Sequence, residues 1–90
     1  MIDCEITIIN KLGLHARAAA KLASTAGKYA CTIKTGHDTK NLVDVKSVMS
    51  LMLLAASQDT VLKFQFNGED EREGQKDIMQ LIANRFGEDE

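Results

Sequence analysis

The chemistry of this chain concentrates in one run, Gly13-Leu14-His15-Ala16-Arg17, set just ahead of a predicted helix. A helix start points free backbone amides and the positive end of its dipole outward, so it disfavours an imidazolium and suits an anion. Arg17 adds a permanent charge whose planar fork matches phosphate. A neutral imidazole is a competent nucleophile. Together these make His15 a candidate acceptor of a phosphoryl group, with the added charge held by the helix amides and Arg17. The plainer alternative is a solvent-exposed loop histidine. No serine or aspartate stands close to His15 in sequence, so a hydrolytic triad has little support.

The other reactive groups read more simply. His37 falls in a predicted hairpin turn, as an exposed turn residue. Cys4 and Cys31 are too few and too far apart for a metal site or a disulfide framework, and both fall on inward strand positions, as buried free thiols. Ser47 precedes a second helix, and its hydroxyl suits the free amides there, so a capping role is sufficient for it.

That second helix carries the other unusual signal. Between Val48 and Ala56 only Ser50 is polar. A helix apolar around its whole circumference belongs in the centre of a large protein, and a chain of 90 residues cannot enclose it. Some of Val48, Met49, Met52 and Leu53 must therefore reach the surface, where apolar patches usually mark a partner interface. Methionine suits a surface that repacks against several partners.

The elements that must position these residues follow from periodicity. Ile2, Cys4, Ile6 and Ile8 alternate with Asp3, Glu5 and Thr7 as a half-buried strand. An alanine-rich helix runs from Ala16 to Lys28, with Ala19, Leu22, Ala23 and Ala26 at helical spacing and Gly27 as its stop. Cys31, Ile33 and Thr35, then Gly36-His37-Asp38, then Leu42 to Val45 read as a hairpin with Val43 and Val45 inside. Leu62, Phe64 and Phe66 form a fourth strand closed by Asn67-Gly68. A third helix from Asp70 to Phe86 places Ile78, Leu81, Ile82 and Phe86 on one stripe behind an acidic first turn, and Gly87–Glu90 is expected to fray. The order βαββαβα, with one apolar face per strand, predicts an α+β fold of two layers, an open sheet with three helices on one face. Residues 1–90 read as one domain.

Composition narrows the function. A chain of this length has no room for a deep substrate cavity. One Tyr, three Phe and no Trp argue against base stacking, and a net charge of −2 makes a poor nucleic-acid binder. Residues 1–46 hold seven basic and four acidic residues, a net +3, and residues 47–90 hold four and nine, a net −5. The basic half suits an acidic partner surface. No stretch approaches the roughly 20 apolar residues of a membrane span, and MIDCEITI carries acids where a signal peptide needs basic residues, which reads as cytoplasmic.

The run Asn10-Lys11-Leu12-Gly13-Leu14-His15-Ala16-Arg17, the helix start Lys46-Ser47-Val48-Met49 and the order βαββαβα resemble the HPr family, the histidine-containing phosphocarriers of the phosphoenolpyruvate-dependent phosphotransferase system. The resemblance covers nearly the whole chain, residues 3–86. It implies an open-faced β-sandwich with an antiparallel sheet of strand order 1-4-2-3, in which Cys4 and Cys31 lie on non-adjacent strands and cannot bridge. It implies that His15 is phosphorylated on Nδ1 by enzyme I, or its nitrogen-branch paralogue, and hands the group to a IIA-type domain. Arg17 and the backbone amides of Ala16 and Arg17 would hold the phosphoryl charge. Ser47 would match the serine used by HPr kinase/phosphorylase, and Val48, Met49, Met52 and Leu53 the docking surface. The protein would act as a monomeric carrier, not an enzyme, with no cofactor, metal, nucleic acid or membrane of its own.

Many sugar-branch members carry proline directly after the active-site arginine, where this chain has Ala18. Ala18, the Asn10–Arg17 run and Asn84-Arg85-Phe86 resemble the nitrogen-related branch (NPr), which is slightly favoured over the sugar-uptake branch. Proline in a first helical turn is a convenience, so phosphotransfer does not depend on it. A regulatory docking module controlled through Ser47 is the alternative of a different class, and the presence of His15 argues against it. A small hydrolase using His15 as base is the least favoured reading.

Overall fold

Alternation carries β1 over Ile2–Thr7, with Asp3, Glu5 and Thr7 exposed and Ile6 buried. The computed structural model describes residues 1–90. After β1 come α1 (Ala16–Ala26), β2 (Thr32–Gly36), β3 (Val43–Asp44), α2 (Val48–Leu53), β4 (Val61–Asn67) and α3 (Glu71–Ala83), closed by a 3₁₀ turn at Arg85–Gly87. The four strands form one sheet in the order β1-β4-β2-β3, every neighbour antiparallel. This is the expected α+β open-faced sandwich. Register pairs Cys4 with Phe64 and Ile33 with Phe66, so β4 separates the two cysteines and both are free.

The core lies between sheet and helices. Ile6, Ile33, Leu62, Phe64 and Phe66 supply the sheet side, and Leu22, Ile78 and Ile82 supply the helices. Ala18, Ala19, Ala23 and Ala26 are also buried, and with no atoms beyond Cβ they let α1 lie close to its neighbours. The rings of Phe64 and Phe66 are 6.0 Å apart between centroids. At the ends of the central strands, both Asp70 carboxylate oxygens accept from the amides of Ala30 and Cys31 at 2.8 Å, which ties the start of α3 to the approach to β2.

Several boundaries differ from the sequence expectation. Helix α1 stops at Gly27, but that glycine keeps a right-handed φ of −64° and donates its amide to the Ala23 carbonyl. The stop therefore does not use glycine's left-handed freedom. Strand β3 is only two residues long, and Val43 is half-buried where Val45 is fully buried. Helix α2 ends at Leu53 instead of Ala56 because Ala55 turns left-handed at φ 51°. Cys4 is half-buried, since β1 is an edge strand, while Cys31 is buried.

The largest differences are at the C-terminus. Helix α3 ends at Ala83, and Phe86 is not on its stripe: Arg85, Phe86 and Gly87 adopt φ of 54°, 56° and 80°. Three left-handed residues in a row reverse the chain, while the Phe86 ring still reaches the core. Lys21 on α1 donates to the Phe86 carbonyl at 2.7 Å. The segment after it, expected to fray, is held by side-chain and backbone hydrogen bonds to the loop before α1.

Candidate functional site

His15 is the N-cap of α1, in extended conformation at φ −73° and ψ 177°, and its carbonyl accepts from the amide of Ala19. Its side chain makes no capping hydrogen bond, so the imidazole turns away from the helix and the first-turn amides stay free. No acidic residue sits in that first turn to neutralise the dipole. Arg17 is exposed, and none of the chain's ion pairs engages its guanidinium. The expected grouping of His15, the amides at Ala16 and Arg17, and the Arg17 charge is thus present at one helix end.

The loop that aims His15 is rigidly made. Gly13 has φ +68°, and a Cβ there would stand 2.5 Å from the Ala56 carbonyl oxygen and 2.9 Å from the Ser57 Cα. Only glycine permits both the turn and that approach. The next residue, Leu14, is buried and donates its amide to the same Ala56 carbonyl at 2.8 Å. The segment after α2 therefore fixes the residue immediately before His15.

Asn10, fully buried, closes the loop from the other side. Its Nδ2 donates to the Gly13 carbonyl at 2.7 Å and to Oε1 of Glu88 at 2.9 Å. The second oxygen of Glu88, Oε2, lies 2.5 Å from Nε2 of His15. Lys11 adds a backbone hydrogen bond to the Glu90 carbonyl and a side-chain ion pair with the Glu90 carboxylate at 3.3 Å. Burial alone pushes the Glu88 carboxyl up, but the Asn10 and His15 hydrogen bonds, with the His15 and Lys21 charges, outweigh it and hold the carboxyl below the usual range.

These groups border an open depression of about 810 Å³, with Lys11, Leu12, His15, Ala16 and Arg17 on one side and Glu88, Asp89 and Glu90 on the other. It is broad and open to solvent, suited to entry by another macromolecule's reactive group. Chemically it offers an imidazole with one nitrogen engaged, an unpaired guanidinium, and a helix start with free amides.

Glu88 was invisible to sequence reasoning. It stands 73 positions from His15, inside an acidic terminal run with no periodicity, and no spacing rule connects the two. The carboxylate partner that His15 lacked locally comes from the opposite end of the chain.

The cap and the exposed apolar side chains expected at the second helix are both present. Ser47 caps α2, its Oγ accepting from the amide of Ser50 at 3.2 Å. Leu51 is buried beneath the helix, whereas Val48, Met49, Met52 and Leu53 are all exposed, Met49 by 76% and Leu53 by 80%. Helix α2 packs against α1, so this apolar face belongs to the same helical layer as the His15 helix. His37 is exposed, as expected, but it also takes a role the sequence did not reveal: its Nε2 donates to the carbonyl of Leu54 at 2.7 Å, at the end of α2.

A family model described as PTS HPr component phosphorylation site matches residues 2–84. The chain is 51% identical over 86 residues to the phosphocarrier protein HPr of Pseudomonas aeruginosa, with 96% of each covered. It is 46% identical over 90 residues to that of Cupriavidus necator, with 100% of each covered. Among solved structures, an HPr from Thermoanaerobacter tengcongensis superposes with a TM-score of 0.92 at 40% identity, covering 100% of both chains.

Proposed function

The chain belongs to the HPr family, the phosphocarriers of the phosphotransferase system, and from that premise we propose that His15 accepts a phosphoryl group from enzyme I and delivers it to a IIA-type domain. The observation that carries this reading is the placement of His15 at the start of α1, with first-turn amides free and Arg17, two residues on, in no ion pair. The lone pair of Nδ1 attacks phosphorus as the donor's bond to it breaks, and the donor keeps that electron pair. The phosphoryl oxygens then meet the amides of Ala16 and Arg17 and the Arg17 guanidinium, groups that strengthen their hold as charge arrives on this side of the transfer. Delivery to the next acceptor runs the same steps backward. The protein is itself the phosphorylated intermediate, residues 1–90 act as one domain and as a monomer in the cytoplasm, and no cofactor is needed.

Val48, Met49, Met52 and Leu53 form the docking face for both partners. Phosphorylation of Ser47 by an HPr kinase/phosphorylase would put negative charge beside that apolar face and weaken docking by desolvation and repulsion. Ala18, wholly buried on the inner face of α1 where many sugar-branch members have proline, supports the nitrogen-related branch over the sugar-uptake branch.

Phosphoenolpyruvate labelled in its phosphoryl group, Mg²⁺ and enzyme I test the reading. An acid-labile adduct forms on the wild type and is absent from His15→Ala; a labelled His15→Ala protein sinks it. Comparing labelling rates with sugar-branch and nitrogen-branch enzyme I decides the branch.

A further inference from the structure

We propose that Glu88 is a positioning residue for the phosphoryl acceptor: its carboxylate, anchored by Asn10, keeps the ring proton of His15 on Nε2 and leaves Nδ1 as the nucleophile. This rests on the reading of His15 as acceptor, and it adds a group outside residues 2–84, the segment the family model matches.

The hydrogen-bond inventory dictates the tautomer. An ionised carboxylate only accepts, so the 2.5 Å contact between Nε2 and Oε2 of Glu88 requires a hydrogen on Nε2. A neutral imidazole has one N–H, and Nδ1 therefore keeps its lone pair. The carboxylate is itself held. Asn10 gives one Nδ2 hydrogen to Gly13 and the other to Oε1 of Glu88. Reversing that buried amide would turn its oxygen toward two acceptors, so the orientation is unique. Side-chain exposure of 30% for His15 and 17% for Glu88 leaves the pair sheltered but the ring reachable.

The chain invests backbone strain in bringing Glu88 there. Arg85 and Phe86 are left-handed without being glycine, a conformation that persists only where the surroundings over-determine it. Burial of the Phe86 ring and the Lys21 hydrogen bond to its carbonyl supply that constraint. Once Nδ1 has bonded to phosphorus, Nε2 still carries its proton and the ring is a cation. Glu88 then faces that cation, and no proton has to leave or enter during transfer.

The test exploits what an amide does at this position. In Glu88→Gln, Asn10 still needs an acceptor and takes the glutamine oxygen, which turns the NH₂ group toward Nε2. A donor there requires a bare Nε2 and drives the proton to Nδ1, blocking the nucleophile. Glu88→Ala leaves both tautomers open. The conservative change is therefore the more damaging one, opposite to the ranking for a merely structural residue.

Phosphoramidate, a small donor that loses ammonia as its phosphoryl group transfers, serves as the probe because it needs no docking partner. Full-length wild type, Glu88→Gln, Glu88→Ala and His15→Ala are compared by ³¹P NMR for labelling and by ¹⁵N NMR for the ring tautomer. The two Glu88 variants carry equal charge, so loss of the carboxylate's field cancels between them. The expected result is labelling of Glu88→Gln at least about tenfold slower than Glu88→Ala, in the direction that a misplaced tautomer dictates. The neutral ring should carry its proton on Nε2 in the wild type and on Nδ1 in Glu88→Gln. Equal rates in the two variants, or an unchanged tautomer in Glu88→Gln, overturns the proposal while an unlabelled His15→Ala leaves the carrier reading standing. Labelling of His15→Ala at the wild-type rate removes the acceptor reading and this proposal with it.

Discussion

Asn10 and Glu88, 78 positions apart, share a 2.9 Å hydrogen bond that joins the loop before the first helix to the end of the chain. Through the two oxygens of one carboxylate, the amide of a fully buried asparagine is connected to the ring of His15. The site is therefore a three-residue relay, and each of its links can be broken separately.

Asn10→Ala removes the donor to both Gly13 and Glu88. The expected loss of stability is about 1–3 kcal/mol, the cost of stranding buried hydrogen-bond partners. Urea unfolding measures it, and hydrogen exchange should show the amide of Lys11, bonded to the Glu90 carbonyl, losing protection.

Acid should release the tail. The Glu88 carboxyl is held below its usual range in the folded chain, so it adds stability above the unfolded carboxylate value of about 4.3. That contribution disappears as pH falls through the lower folded value. Asp70, lowered chiefly by the Ala30 amide, and Glu71, lowered chiefly by the Gly68 amide, work in the same direction. Urea midpoints measured downward from pH 5 should fall, and Glu88→Gln should make that fall shallower.

Gly13→Ala forces a side chain to φ +68° against the Ala56 carbonyl oxygen. A loss of about 2 kcal/mol or more is expected from strain and displacement together. Labelling with phosphoenolpyruvate and enzyme I should fall as well, because the shift moves Leu14 and with it the ring of His15.

Ser47→Ala deletes the acceptor for the Ser50 amide and should cost about 1 kcal/mol, as lost N-caps do. Thermal unfolding reads this directly. A wild-type melting temperature would mean that the hydroxyl is not a working cap.

Met49→Glu and Leu53→Glu change side chains that are largely solvent-exposed. Stability should stay within about 0.5 kcal/mol of wild type. Enzyme I-driven labelling should slow several-fold, since a charge now interrupts the apolar face. Unaltered labelling kinetics would remove α2 from the docking surface.

Local order was legible in the sequence because it rests on local rules. Period-two alternation from Ile2 to Ile8 and from Leu62 to Phe66 marks strands whichever strands they pair with. The apolar circumference from Val48 to Leu53 exceeds what a chain of 90 residues can enclose, so its exposure followed from surface-to-volume arithmetic alone. His15 and Arg17 lie within one helical turn, and the helix start that unites them is itself local.

What the sequence could not disclose depends on distant segments meeting. The length of β3 is set by what pairs with it across the sheet, and the end of α2 by Ala55 turning into a left-handed conformation that no residue preference announces. Glu88 is one acid among three at the terminus, and composition alone made that segment a candidate for fraying. Its partners are chosen by the left-handed run at Arg85–Gly87 and by the burial of Phe86, which direct the chain back across the start of α1. The nucleophile was thus written locally in the chain. The carboxylate that orients it came from tertiary packing, because only the folded core brings residues 15 and 88 to within 2.5 Å.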